Sequence, residues 1–573
     1  MNFPDDQNEV DRGVADDAAL WRRFRGTLGD DLKATPVYRL KLSGPTPDGI
    51  SLHLKSPLPA DELRGEALMR DVWRIGQARR VFDDGAAPWG EAAPSRHFAD
   101  RVHRFDWLPD LFTQGEVGAD RARYLVDDWI DVYGKFNGFT WRIGPTADRV
   151  WNWLRCGAAL FEKGEDDARK ARLESLMRQI RHLEESINGC GDTAARWRGA
   201  CVACATCLTL RSGKGLDAAE QQLDAECTAQ ILPDGGHVSR SPQRLLYALA
   251  DLLALKDLYA RADRPLPDYY DKWLPRMGAM LGFFRSGDGG LDPFNDGGEV
   301  HSGAVDAVME AYGGATRQFS FAMKSGYQKL EKNGMRLVLD CGAAPEPPFA
   351  DMAHAGALSF ELSDGETRII SSCGYSPDVN LDWQAAVRRS GAHSALILGG
   401  RDTAAFITNE ATRLLAPHGP EGISAKRLEE GDEIWLDSQH AGYKTSTGLL
   451  HRRRLFMAGD GSRLAGEDSL VRPISQGNSE SRKFVNFEIR FHLHPGITAM
   501  TAGDSIRLIS EEGHAWRFKT SHPGTRLEPS IYLGRGRVEK TEQIVMIGKA
   551  DPNGDGAEPP NCVRWAFLRD KAA

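Results

Sequence analysis

Ala353-His354-Ala355-Gly356-Ala357-Leu358-Ser359-Phe360-Glu361-Leu362 decides the fold, because small, polar and apolar residues alternate along it with the period of two that a β-strand imposes. The same texture holds from Gly326 onward, in Met335 to Leu339, Arg368 to Ile370, Ser394 to Leu398, Glu433 to Leu436 and Phe487 to Leu493, with Gly, Asp and Asn turns such as Ser363-Asp364-Gly365 between the runs. That pattern predicts an antiparallel sheet-on-sheet domain. Before about residue 310 the apolar residues recur at three- and four-residue spacing, in Glu62 to Phe82, Ala119 to Tyr133, Ala147 to Glu162, Asp167 to Ile187, Thr193 to Leu210, Gly215 to Ile231, Ser241 to Ala260 and Tyr269 to Phe284. Helices in series of this kind predict an all-α domain of antiparallel pairs in a ring or bundle. The expected division is an N-terminal extension over 1–50, a helical domain over 51–315 and a β-sandwich over 316–573.

With 573 residues the chain exceeds one ordinary core. A hydrophobic share of 41% and a charged share of 27% describe a globular protein. A net charge of -9, with both signs dispersed, provides no basic face for nucleic acid. The acidic opening Met1 to Glu9 lacks a signal-peptide pattern, and no apolar run reaches membrane-spanning length. A cytoplasmic location without membrane partners is therefore expected, and the nine cysteines read as reduced thiols. The sequence leaves room for a homodimer.

Histidines supply the chemistry. His354 and His393, the latter in Arg389-Ser390-Gly391-Ala392-His393-Ser394, are placed on strand-like segments that could share one site, with Cys373 between them in sequence. Two imidazoles and a thiolate suit zinc, whereas strand carbonyls would satisfy the same rings without metal. In Asp234-Gly235-Gly236-His237-Val238-Ser239-Arg240-Ser241-Pro242, a loop enters a helix at Ser-Pro and offers His237, Arg240 and, one turn on, Arg244. Arginine pairs with carboxylate or sulfate through two parallel hydrogen bonds, so this loop suits an acidic ligand; a capped helix entry is the competing reading. The Cys201, Cys204 and Cys207 spacing lies in an Ala-rich helical run and reads as core. The Gly-rich stretch 287–298 reads as a turn, from which Asn295 could reach a cleft, and its Asp288 and Asp292 are the loop carboxylates open to glycoside hydrolysis. Arg490, His492 and His494 share a strand face expected to be solvated, and Trp129, Trp141, Trp151 and Trp153 read as core.

Taken together, the Asp-Gly-Gly-His-x-x-x-Ser-Pro loop, Gly326-Tyr327, His354 to Leu362, Ala392-His393-Ser394 and Phe491-His492-Leu493-His494-Pro495 resemble the heparinase II/III family of polysaccharide lyases. The resemblance implies an incomplete (α/α) toroid followed by an antiparallel β-sandwich. It also implies a carbon–oxygen lyase that cleaves acidic, uronic-acid-containing glycans such as glycosaminoglycans or their oligosaccharides by β-elimination. Under it His237, Arg244, Tyr247, His354 and His393 take the catalytic positions, while Arg240, Asn188, Arg389 and Asn295 hold substrate. Zinc would be held by His354 and His393, with Cys373 as a third ligand. The chain departs from the family pattern where Met352 replaces a histidine, Ser372-Cys373-Gly374 replaces Asp-Pro-Gly and Arg244 replaces a tyrosine. These departures admit a second expectation, a non-catalytic glycan-binding or envelope-assembly protein on a lyase scaffold.

Overall fold

A computed structural model describes residues 33, 35–76, 78–83, 85–210, 213–315, 317–408, 415–473 and 483–570. Most of the expected N-terminal extension lies outside the described residues, although Pro36–Leu42 is a helix capped by Thr35. Helices then follow in sequence: Gly115–Tyr133, Ile143–Phe161, Asp166–Ser186, Thr193–Leu210, Leu216–Gln230, Pro242–Arg261, Tyr269–Phe284 and Ser302–Tyr312. Their apolar stripes converge on one core that contains Phe105, Trp129, Trp151, Trp153, Leu249 and Leu281. The four tryptophans expected in the core are at most 4% exposed, so burial and not sugar stacking explains them. Cys201, Cys204 and Cys207 are buried on one helix and form no disulfide, as the packing reading requires.

One predicted helix is shorter than its periodicity suggested. Glu62 to Phe82 divides into the helix Glu62–Met69 and a hairpin of Val72–Ile75 against Ala78–Val81. The helix stops because Asp71 adopts φ +54°, and Val72, Trp73 and Ile75 in the segment that follows favour extended backbone.

From Phe321 the chain is antiparallel sheet. A five-stranded sheet runs in chain order from Phe321–Ala322 to Thr367–Ile370. It leads into an eight-stranded sheet and a four-stranded sheet whose inner faces meet over Phe360, Leu455, Phe491, Trp516, Trp565 and Phe567. The architecture is an α/α toroid followed by a β-sandwich. The two parts are joined by ion pairs, among them the buried Arg336–Asp292 at 2.7 Å and Arg368–Asp288 at 2.6 Å, whose carboxylate is partly exposed. Asp288 and Asp292 are therefore partnered carboxylates of the domain junction, unsuited to an acid–base pair for hydrolysis. Among the described residues no helix is long and apolar enough to cross a membrane.

The histidine row of the last sheets is also buried and not solvated. His492 is 3% and His494 6% exposed, and the His492 ring is held between Ser530 Oγ at 2.8 Å and the Gly391 carbonyl at 3.0 Å.

Candidate functional site

A cleft of about 440 Å³ opens between the toroid and the sandwich, and the Asp-Gly-Gly-His loop forms part of its wall. The loop's composition follows from its packing. Asp234 accepts from the Lys324 and Ser325 amides at 2.8 and 2.7 Å, fastening the loop to the start of the sandwich. Gly235 has φ +94°, and a Cβ there would lie 2.1 Å from the Arg276 carbonyl oxygen, so only glycine fits. The chain then turns into the helix Pro242–Arg261, whose N-cap Ser241 accepts from the Arg244 amide.

This entry brings His237, Arg244 and Tyr247 to the same cleft, where Asp296, Met352 and Tyr375 face them. The His237 ring is tied from behind: its Nδ1 accepts from the Ser239 amide at 3.1 Å and lies 2.7 Å from Ser239 Oγ. Burial, reinforced by the Arg244 charge, lowers its pKa to about 3. The ring is therefore neutral and carries its proton on Nε2, so it presents a donor to the cleft. A general base needs the opposite tautomer.

The cleft cations are already matched. Arg244 Nε lies 2.5 Å from Asp296 Oδ2, Arg198 Nη1 lies 2.5 Å from Asp251, Arg104 Nη1 lies 2.5 Å from Asp148, and Arg101 pairs with Asp106. Tyr247 is half-exposed and its hydroxyl accepts from Gln243 Nε2 at 3.1 Å.

The remaining expected site residues lie elsewhere. Arg240 is buried and pairs with Asp340, with its other N–H groups on the Ser325, Gly326, Gly342 and Ala343 carbonyls. It joins the two domains and has no donor left for a substrate. Arg389 pairs with Asp402 at 2.7 Å and covers the Phe406 ring. Asn188 lines a separate small cavity against Ile187 and Val202 on the toroid. Asn295 is an internal strut that donates to the Arg240 carbonyl at 2.8 Å and accepts from the His354 amide at 3.1 Å.

His354 and His393 do meet, with ring centroids 5.2 Å apart, but on loops and not on adjacent strands. Leu358 takes φ +60°, so the strand starts only at Phe360, and His393 follows the short turn Ser390–Ala392. The pair sits one layer behind the cleft wall: Met352 lines the cleft, and the His354 ring packs on Tyr375 at 5.9 Å. Both His354 ring nitrogens and Nε2 of His393 are buried without a hydrogen-bond partner.

Orphaned imidazole nitrogens suit a metal, yet the third ligand is missing. Cys373 turns its thiol toward His492 Nδ1, 3.6 Å away, and among the described residues no three His, Cys, Asp or Glu side chains gather to hold an ion. Two imidazoles alone do not make the closed tetrahedral site that zinc requires. Burial depresses the pKa of both rings, that of His393 to about 4.

His237, His354, His393, His440, His451 and His492 are all held neutral by burial. Their folded pKa values lie below the unfolded value of about 6.5, so the unfolded chain binds more protons once pH falls beneath that value. Stability is then lost with acid, each ring contributing up to roughly 1.4 kcal/mol per pH unit. Urea titrations are expected to give a clearly lower midpoint at about pH 5 than at about pH 7.5; equal midpoints would contradict this account.

Sequence reasoning missed Asp296, the carboxylate that holds Arg244. It stands inside the Gly-rich turn, and only the pair Asn295-Asp296 ahead of Gly297-Gly298 marks it.

The family model described as heparinase II/III-like, C-terminal, matches residues 314–566. A crystal structure of heparinase III superposes with a TM-score of 0.68 at 15% identity, covering 94% of this chain and 90% of that one. A mutant of heparan sulfate lyase HepC from Pedobacter heparinus gives 0.56 at 15% identity, over 90% and 84%. The FtsZ-localized protein C of Caulobacter vibrioides is 33% identical over 566 residues, 96% of each chain. Through residues 314–566 the chain belongs to the heparinase II/III-like family, and its toroid and sandwich together share the heparinase III fold.

Proposed function

We propose that this protein is a non-cleaving, glycan-binding member of its family that works in the cytoplasm at the site of FtsZ-dependent division. The carrying observation is the charge balance of the cleft, in which Arg104, Arg198 and Arg244 are each already held by an internal carboxylate. β-Elimination beside a uronate needs an unopposed cation or donor array to neutralise the sugar carboxylate, and a base to take the C5 proton. Met352 is a thioether and His237 presents Nε2–H, so neither of these two side chains supplies that base. The full-length likeness to a protein named for its localization with FtsZ supports the cellular setting, and nine cysteines outside any disulfide suit a reducing compartment.

The second reading, a lyase acting on acidic glycans, is favoured by the meeting of His237, Arg244 and Tyr247 on one cleft. One experiment separates the two. Purified protein is incubated with heparan sulfate, unsulfated heparosan, chondroitin and alginate, and a fluorescent fusion is imaged with and without FtsZ depletion. The expected result is no ultraviolet-absorbing unsaturated uronate above the His237→Ala background, together with a midcell band that disperses on depletion. Product that disappears in His237→Ala establishes the lyase reading instead.

A further inference from the structure

Arg507 and Arg517 face each other across the antiparallel strands Ser505–Ser510 and Ala515–Thr520. They stand on the outer side of the eight-stranded sheet, since their neighbours Leu508, Trp516 and Phe518 point into the sandwich core. Like charges placed in register across a strand pair repel. Among the described residues one carboxylate stands against both: Asp570 lies 3.2 Å from Arg517 Nη2 and 3.7 Å from Arg507 Nε. The longer separation is beyond a hydrogen bond, so the Arg507 donors stay open and the pair keeps one positive charge in excess. Both side chains are roughly half exposed, 49% and 45%, and a dissolved ion reaches them freely.

The pair borders a cavity of about 690 Å³, where the turns at Asn333-Gly334 and Asp364-Gly365 approach the sheet. Asp364, the other carboxylate of its wall, is already matched. Arg569 Nε and Trp516 Nε1 donate to its Oδ2 at 2.7 and 2.9 Å, and Arg569 Nη2 takes Oδ1. Glu511 and Glu512 on the adjoining turn are outside the lining, and the Glu512 carboxylate turns back to the Ser510 hydroxyl. No residue lines both this cavity and the cleft between the domains, so the site stands or falls apart from the reading of the cleft.

We infer that this cavity binds a tetrahedral oxyanion, the phosphate or sulfate group of a small molecule, through the guanidiniums of Arg507 and Arg517. A planar guanidinium delivers parallel N–H donors to such an anion. A tetrahedral ion has oxygens enough to accept from both side chains at once, and its charge offsets the surplus that Asp570 leaves. The hollow has the size of a ligand site and not of a bare ion, so it also has room for the group that carries the oxyanion, beside Asn333 and His514.

The test is isothermal titration of the full chain at low ionic strength with inorganic phosphate, inorganic sulfate, glucose 6-phosphate and, as controls, sodium chloride and glucose. Phosphate is expected to bind on the order of ten-fold or more tighter than chloride, and glucose 6-phosphate at least as tightly as phosphate. Arg507→Ala and Arg517→Ala are each expected to weaken phosphate binding on the order of ten-fold. In phosphate-free buffer the same variants are expected to keep or raise the thermal midpoint, because each relieves the repulsion across the strand pair. A midpoint lowered in both variants, with phosphate affinity unchanged, would show that the arginines only hold Asp570 and overturns the inference. Chloride binding as tightly as phosphate overturns it as well, by reducing the effect to screening. Phosphate binding lost in Arg244→Ala but kept in the double variant of Arg507 and Arg517 places the ion in the cleft and overturns the site. Phosphate and sulfate binding with exclusion of the sugar ester overturns the carried group.

Discussion

Arg240→Ala is expected to destabilise the protein by about 3–5 kcal/mol, the range for removing one partner of a buried ion pair. The guanidinium is 7% exposed and Asp340 4%, so the carboxylate left behind has no route to water. Burial already raises the Asp340 carboxyl, and Arg240 is the charge that opposes this. The value belongs at the upper end of that range because Arg240 Nε donates to the Ser325 carbonyl at 2.8 Å and Nη1 to the Ala343 carbonyl at 3.0 Å, while the cation covers the Tyr327 ring at 4.8 Å. Those acceptors belong to the start of the sandwich, whereas Arg240 ends the toroid loop, with φ +60°. Arg240→Lys is expected to recover little, since one ammonium cannot reproduce a planar fork over four carbonyls and a carboxylate. Urea unfolding reads the result. A single shifted transition supports domains that unfold together, and a loss below about 1 kcal/mol would show that Asp340 finds another partner.

The same residue marks the limit of what the sequence discloses. The helices from Gly115 to Phe284 were legible because their apolar stripes face one core, and stripe period is local information. The strands were legible for the same reason. Ion-pair partners are not local: Asp340 is a hundred positions from Arg240, and Asp296 is 52 from Arg244. Without them Arg240 and Arg244 looked alike, although one is a domain staple and the other faces a cleft. His354 and His393 were read as a pair, and they are one. Their strand setting was inferred from alternation, which cannot register the left-handed turn at Leu358. Asn188 matches a family asparagine only by resemblance and Arg389 only adjoins His393 in sequence, and the fold carries both away from the cleft. The direction of the His237 proton was likewise hidden, because it is set by the amide of Ser239 two residues on.

Arg453→Met is expected to produce a loss of similar or greater size, about 3–5 kcal/mol, with a pH signature of its own. Arg453 and Asp468 are fully buried in the sandwich and share two hydrogen bonds of 2.8 and 3.0 Å, while Nη1 ties down the Leu358 and Ser394 carbonyls at 2.6 and 2.7 Å. Those two carbonyls flank the loops that bring His354 and His393 together. The Asp468 carboxylate also accepts from Trp565 Nε1 at 2.8 Å and from His451 Nε2 at 2.7 Å. Burial alone would raise the Asp468 carboxyl, but Arg453 and His451 hold it far below the usual carboxylate range. Among the described residues, removing the guanidinium leaves His451 as the titratable partner that offsets the charge. Burial now lowers the His451 pKa, and the Arg453 charge adds to that. In the variant an unopposed Asp468 draws a proton onto the ring, lifting its folded pKa above the unfolded value of about 6.5. A raised folded pKa contributes stability below the unfolded value and loses it as pH rises through the folded one. The difference between wild type and Arg453→Met is therefore expected to be smaller at about pH 5.5 than at about pH 8, although both proteins weaken in acid through the other buried histidines they share. A pH-independent difference would mean that His451 stays neutral beside a bare carboxylate, and that the Leu358 and Ser394 carbonyls, not the charge, account for the loss. His451→Gln in the Arg453→Met background isolates the proton: it should abolish the acid recovery and leave the alkaline deficit in place.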